Sequence, residues 1–342
     1  MKRFLLLLSL LLTLSAAAQG RRDNFWTDLN DFLDMREDKG YAKLDSNYIG
    51  RYPYHWDARL FYTSTGLHIA NQGPYALDLT TGMNHRVGVG LSYRGVGLSY
   101  SRALGRKLNF NFSADSYGKH FCIEYALRFT TGLQGSLTTP EQPVQDLDKL
   151  VLGESRLNLF YSFNPRFSYA AAMKQSKIQR RSAGSFIAAL SWSVWDIVSL
   201  KGLDDIGDAA TDEFFQEFLS ANLFYNRVSA GAGYGYNWVL GREHWLLHAS
   251  LVPMWTVYDA TDTRENGSRS YRSYPNGWIS LTATARAGIY YRWSDRWSLG
   301  LSGAVNQMAS QNHLSSRADG FTRFSAQDWQ VRFSLGFRFG AR

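Results

Sequence analysis

His248 and Ser250 stand two residues apart, flanked by Leu247, Ala249 and Leu251. On an extended chain residues i and i+2 share a face, so imidazole and hydroxyl come within reach of each other, as a serine nucleophile and its general base must. Such a pair needs a third group to orient the base. Asn237, on the preceding segment across the tight turn Leu240-Gly241-Arg242, is the nearest. The chemistry expected is ester hydrolysis, a lipid-modifying activity if the strand lies in a membrane. Direction weighs against it. Trp245, Leu247, Ala249 and Leu251 form the apolar face, so His248 and Ser250 point to the interior of a closed sheet, whereas attack on membrane lipid needs them outward. A polar pair on a polar face is also ordinary filling for a barrel.

A second set is cationic. Arg128, Arg156, Arg227, Arg286, Arg292, Arg332 and Arg338 fall on the polar positions of alternating segments, with Glu124, Asp328 and Asp196 as the acids at hand. Arg–carboxylate networks can fill a narrow barrel; left unpaired, the same arginines would bias a passage toward anions. Cations outnumber acids here, so water, a plug or a ligand must meet the remainder. A third set is the basic stretch from Lys174 to Ser185. It reads as a solvated turn, as a phosphate-binding surface for lipopolysaccharide if outside, or as a site lined by Gln175 and Gln179 if it folds inward. Asp204, Asp205, Asp208 and Glu213 read as solvated loop acids. The sequence has no metal-ligand spacing, phosphate-cradling Gly-rich loop or paired carboxylates, so neither metal nor cofactor is expected.

The elements that position these residues are strands. Asp328 to Gly340 reads D-W-Q-V-R-F-S-L-G-F-R-F-G, with Trp329, Val331, Phe333, Leu335, Phe337 and Phe339 on one face and polar residues or Gly on the other. That strict period of two recurs from Asn222 to Trp238 and from Ile279 to Trp293, and in shorter form from Leu60 onward. Strand after strand would expose an aromatic face that no soluble surface tolerates, with Trp and Tyr near the strand ends as in interfacial girdles. In hydrocarbon every backbone polar group needs a protein partner, so the sheet must close. The fold expected is all-β, a transmembrane antiparallel up-and-down barrel. About thirteen segments are found, and bacterial barrels take even numbers. Twelve strands result if Phe167 to Met173 does not span, fourteen if one has been missed; twelve is preferred because that segment is short and Ala-rich. Tight turns near Arg94, Gly118, Pro165, Gly241 and Asp295 are expected in the periplasm. Long loops at Thr131 to Glu154 and Thr261 to Pro275 are expected outside, where they would serve an interaction platform.

Lys2 and Arg3, an apolar run from Phe4 to Leu14 and Ala16-Ala17-Ala18 follow the plan of a secretory signal peptide cleaved after Ala18. Residues 19–54 then form a periplasmic or lumen-inserted segment with a short amphipathic helix at Asn24 to Met35, and 55–342 the barrel. The aromatic approach from Tyr48 to Trp56 suits a membrane interface. Cys122 is the only cysteine, so no internal disulfide forms. The net charge of +8 is spread singly over alternating positions, not gathered in a block, which argues against nucleic acid as a partner.

Three stretches, Leu91 to Ser101, Phe167 to Gln175 with Gln179 and Ser182 to Phe186, and Gly233 to Trp238, carry a resemblance together with Tyr48 to Trp56. They resemble a Bacteroidetes-type family of exported proteins, the domain-of-unknown-function family 4421, over nearly the whole chain from about Asp45. The resemblance implies an outer-membrane barrel of a Gram-negative bacterium and brings no catalytic residues. The expected role is a membrane-embedded scaffold or a narrow, porin-like solute passage with an Arg-rich lumen. The lipid hydrolase and the surface platform are the alternatives. Its partners would be outer-membrane lipid, lipopolysaccharide and, during insertion, the barrel-assembly machinery that reads a terminal aromatic such as Phe339.

Overall fold

The computed structural model describes residues 38–39 and 44–341, apart from 73–75, 106–108, 139–144, 200–221, 266–267, 276–279 and 314–320. It divides into Met1–Lys43 and Leu44–Arg342, and the second unit is the one described below. The leader ending at Ala18 and the helix expected at Asn24 to Met35 lie outside the described residues.

In chain order the strands are β1 (Ile49–Gly50), β2 (Tyr54–Gln72), β3 (Ala76–Thr80), β4 (Asn84–Tyr93), β5 (Val96–Ala103), β6 (Phe110–Tyr117), β7 (Phe121–Thr138) and β8 (Gln145–Ser162). The helix α1 (Tyr169–Lys174) follows. Then come β9 (Ile178–Gln179), β10 (Ala183–Ser199), β11 (Asn222–Leu240), β12 (Trp245–Glu265), β13 (Ser268–Pro275), β14 (Leu281–Arg292), β15 (Trp297–His313) and β16 (Phe321–Ala341). Twelve of them, β2, β4 to β8, β10 to β12 and β14 to β16, pair with their sequence neighbours in one antiparallel ring. The last strand closes on the first from Ala341↔Tyr54 to Arg323↔Gln72. β3 and β13 extend this wall, and β1 pairs only with β9. No helix among the described residues is long and apolar enough to cross a membrane.

Phe167 to Met173 does not span; its core is α1, which resolves the parity in favour of twelve. The turns near Arg94, Gly118, Gly241 and Asp295, the connection holding α1 and both ends of the wall therefore lie at one end. Arg94 and Gly95, with φ of 48° and 82°, make the two-residue turn whose twist matches a hairpin.

Over the middle of the wall the alternation sorts as its polarity dictates. Leu60, Val89, Leu98, Phe121, Phe186, Leu251, Ile289 and Phe333 are exposed outward, while Arg86, Ser193, Arg227, Asn237 and Arg338 are buried inward. Toward the turn end the outer face becomes a belt of rings, with Trp56–Tyr93, Trp245–Tyr291 and Trp297–Phe337 all 4.6 Å apart. Toward the loop end the faces exchange polarity. Leu67, Ile69, Leu133, Leu150, Leu152, Trp195, Ile197 and Met308 turn inward and pack into an apolar core, while His68, Asp78, Gln134 and Gln327 stay exposed.

Three expectations are corrected by this exchange. Thr131 to Glu154 is not a long loop, because β7 and β8 continue through it to Thr138 and from Gln145. Thr261 to Pro275 is likewise strand, in β12 and β13. Asp196 shares outward parity with exposed Leu190 and Trp192, between inward Trp195 and Ile197, so it is no luminal partner.

Candidate functional site

Eight strands enclose an interior that side chains alone can fill; twelve enclose one roughly half as wide again. Long side chains reach across this lumen, and a plug is inserted into it. The plug is the connection between β8 and β10, residues 163–182, including α1 and β9. Ser168 caps α1, its Oγ accepting from Ala171 N at 3.1 Å. Ala170, Ala171 and Ala172 are fully buried, and small side chains let the helix sit close to the wall. Gln175, Lys177 and Gln179 are buried too, so this part of the basic stretch folds inward, while Arg180, Arg181 and Ser182 stay exposed. Gln179 Nε2 donates to Arg166 O at 2.7 Å and Arg181 O at 2.9 Å, and its Oε1 accepts from Ser168 N at 2.9 Å. Lys177 Nζ donates to Gly118 O at 3.0 Å.

The His–Ser pair meets this plug. Asn237 on β11 lies directly opposite His248 on β12, which sets both on the luminal face. His248 Nδ1 is 2.8 Å from Asn237 Oδ1, and Nε2 is 3.0 Å from Ser250 Oγ. Asn237 Nδ2 donates to Ser168 O at 3.0 Å and to Gln179 Oε1 at 3.1 Å. A carbonyl can only accept, so Oδ1 faces His248, Nδ1 carries the proton, and Nε2 is left to accept from the Ser250 hydroxyl. That is the tautomer a serine nucleophile requires of its base. Access is another matter: Ser250 is 8% exposed, His248 3% and Asn237 0%. The rings of Phe167 and Tyr169 lie 6.2 and 5.7 Å from the imidazole.

Toward the loop end Arg156 Nη2, on β8, lies 2.7 Å from Asp328 Oδ2 on β16. These strands stand six positions apart in a ring of twelve, so the pair spans the lumen. Arg156 also pairs with Glu154. Arg128 Nη1 is 3.3 Å from Glu154 Oε2 and 3.6 Å from Asp328 Oδ2, and Asn306 Nδ2 donates to Asp328 Oδ1 at 2.5 Å. Lower down, Arg286 on β14 holds Glu124 on β7 through two bonds of 2.7 Å, with Tyr117 OH donating to Glu124 as well. The Arg286 guanidinium lies 4.7 Å over the Phe160 ring and 5.8 Å over that of Tyr169.

The remaining arginines take different places. Arg338 is 2% exposed, donates to Gln175 O at 2.8 Å and lies 3.7 Å over the Tyr52 ring. Arg292 stands at the turn end, 3.3 Å from Glu243 and 3.2 Å from Asp295. Arg227 is buried 5.1 Å over the Tyr225 ring, and Arg332 lies 4.4 Å over that of Phe61. Tyr52 and Ile49 turn inward and are buried, so only part of the Tyr48 to Trp56 approach, Trp56 among it, faces the interface belt. Sequence reasoning missed Asp57, Arg59, Arg86, Asp115 and Glu154. Extending the alternation of β2 back to Tyr54 would have placed Asp57 and Arg59 beside Phe61 and Thr63. Among the described residues no cluster of His, Cys, Asp or Glu could hold a metal ion.

The family model for the domain of unknown function DUF4421 matches residues 43–339, which is this wall but for the last two residues of β16. The chain belongs to the DUF4421 family. No curated protein matches it. Among solved structures, the DUF4421 barrel aligns with the outer membrane protease OmpT from Escherichia coli at 10% identity, over 84% of this chain and 97% of that one, with a TM-score of 0.39. It aligns with the toluene transporter TodX from Pseudomonas putida at 8% identity, over 87% and 98%, with a TM-score of 0.32. The outer membrane protein OprG from Pseudomonas aeruginosa aligns at 11% identity, over 85% and 99%, with a TM-score of 0.28.

Proposed function

We propose that this protein is an outer-membrane barrel with its lumen filled in place, a membrane-embedded scaffold and not an open pore. The observation that carries the reading is the Arg156–Asp328 pair, which joins opposite walls. The apolar core above it and the plug below support the same reading. An outer-membrane location is supported by the outward apolar band, the ring belt and the exported type of N-terminus. The turn end then faces the periplasm, the outward band meets lipid and lipopolysaccharide, and β16 presents Phe339 to the assembly machinery. Purified protein in planar bilayers tests this. The expected record is a bilayer that stays closed at moderate voltage of either sign; steady anion-selective steps would overturn the reading.

A second reading has its own observation, the proton order from Ser250 through His248 to Asn237, which suits a serine hydrolase once the plug moves. A fluorophosphonate probe should then label Phe167→Ala, in which the plug is loosened, and fail to label the same variant carrying Ser250→Ala. Absence of label on Phe167→Ala removes the hydrolase.

A further inference from the structure

Between the wall formed by β2, β4 to β6 and β14 to β16 and the end of α1 lies a cavity of about 60 Å³. Its charged lining is Arg59, Arg332 and Lys174 against Asp57 and Asp115. Both acids are already engaged. Asp57 is 2.6 Å from Arg59 Nε and 3.3 Å from Arg338 Nε, and Asp115 is 2.5 Å from Lys174 Nζ. Arg332 has no carboxylate within 4.0 Å among the described residues. Its Nε and the Nη2 of Arg59 are buried with no hydrogen-bond partner. The hydroxyl-bearing residues Ser92, Ser99, Ser302, Ser334 and Tyr290 complete the polar lining.

The surroundings add positive charge. Arg332, Thr63 and Arg86 occupy one register row across β16, β2 and β4. Arg86 is 2% exposed, likewise without a carboxylate in reach among the described residues, and Thr63 Oγ1 is buried with no partner. Guanidinium groups do not deprotonate, so burial leaves them charged, and buried charge demands a counter-charge. Their fixed fork of N–H donors matches the oxygens of an oxyanion better than it matches a halide. At roughly 10–15 Å³ for each water-sized atom, the cavity takes about four oxygens.

We propose that this cavity binds one inorganic oxyanion of the phosphate or sulfate class, held between the Arg332 and Arg59 guanidiniums with the Ser99 and Ser302 hydroxyls donating to its remaining oxygens. The anion balances the luminal charge from inside and crosses nothing, so the proposal stands or falls independently of the conductance record. The test uses the full chain in two preparations. Protein extracted in mild detergent is denatured and the released anions are measured by ion chromatography. Protein refolded from urea in phosphate- and sulfate-free buffer is titrated with inorganic phosphate in equilibrium dialysis, with potassium chloride at matched ionic strength as control.

The expected result is about one oxyanion released per chain, and saturable uptake of one phosphate that chloride does not displace. Arg332→Gln should weaken uptake at least tenfold. Ser302→Val, which fills the cavity without altering charge, should weaken it too and covers the case in which the arginine variant fails to fold. Release well below one per chain together with no saturable uptake overturns the proposal. So does uptake that is unchanged in the folded variants, or that chloride abolishes equally.

Discussion

At Asp328 three neighbours converge: Arg156, Arg128 and Asn306. Removing one member of a buried ion pair leaves the others charged and unpaired, which costs about 3–5 kcal/mol, whereas replacing the pair by apolar groups is often near neutral. Asp328→Ala is therefore expected to lower stability by about 3–5 kcal/mol, read from urea unfolding in lipid vesicles, and the double change Arg156→Met with Asp328→Met to recover most of that. If the single and double variants lose equally, the pair is not the bond that matters. Parity alone, read from the sequence, set Arg128, Arg156 and Asp328 on the inner face. Which acid meets which base was not legible, because Arg156 and Asp328 are 172 residues apart and become opposite only when the ring closes at twelve. Glu154 was not legible for a different reason, because it lies at the end of the part of β8 that reads in the sequence as a hydrophilic loop.

The plug is the element on which the interior turns. A helix of six residues does not form alone, so α1 depends on its cap at Ser168 and on anchors from the wall, of which Asn237 is the most buried. Two wall glycines give it room. A Cβ at Gly235 would come within 2.9 Å of Ile187 and 3.3 Å of Phe167, and one at Gly300 within 2.7 Å of Gln175. Asn237→Ala and Gly300→Val are both expected to free the plug, seen as trypsin cleavage after Lys177 that mass spectrometry finds absent from the unmutated protein. Protection of Lys177 in both would mean that the anchors are redundant. In the sequence, Phe167 to Met173 is too short to tell a period of two from one of 3.6, so its helix was not legible. The outer ends of β7, β8 and β12 were lost for another physical reason. Beyond the apolar band the polar face moves outside and the apolar face inside, so a strand read for a greasy exterior looks like a hydrophilic loop.

Taken whole, the barrel is a wall with an apolar band in the middle of its outer surface and a polar outer surface above it. Leu251, 56% exposed and six residues from the turn end of β12, sits within that band. Leu251→Arg should cost about 2–4 kcal/mol, as a cation facing mid-bilayer does, and Gln134→Arg, above the band, close to nothing. Equal losses at the two positions would move the membrane away from this band. The closed ring was legible because it follows from alternation and from the need to satisfy every backbone group in hydrocarbon; the inserted plug was not, since it depends on where one connection goes. That connection has a topological consequence. Residues 163–182 leave β8 and rejoin β10 at the same rim, and β1, which clasps β9, comes from that rim as well. The insert is a bight pushed in from one side, not a thread passed through. It can be seated after the ring has closed and withdrawn again without opening the seam or unpairing a wall strand.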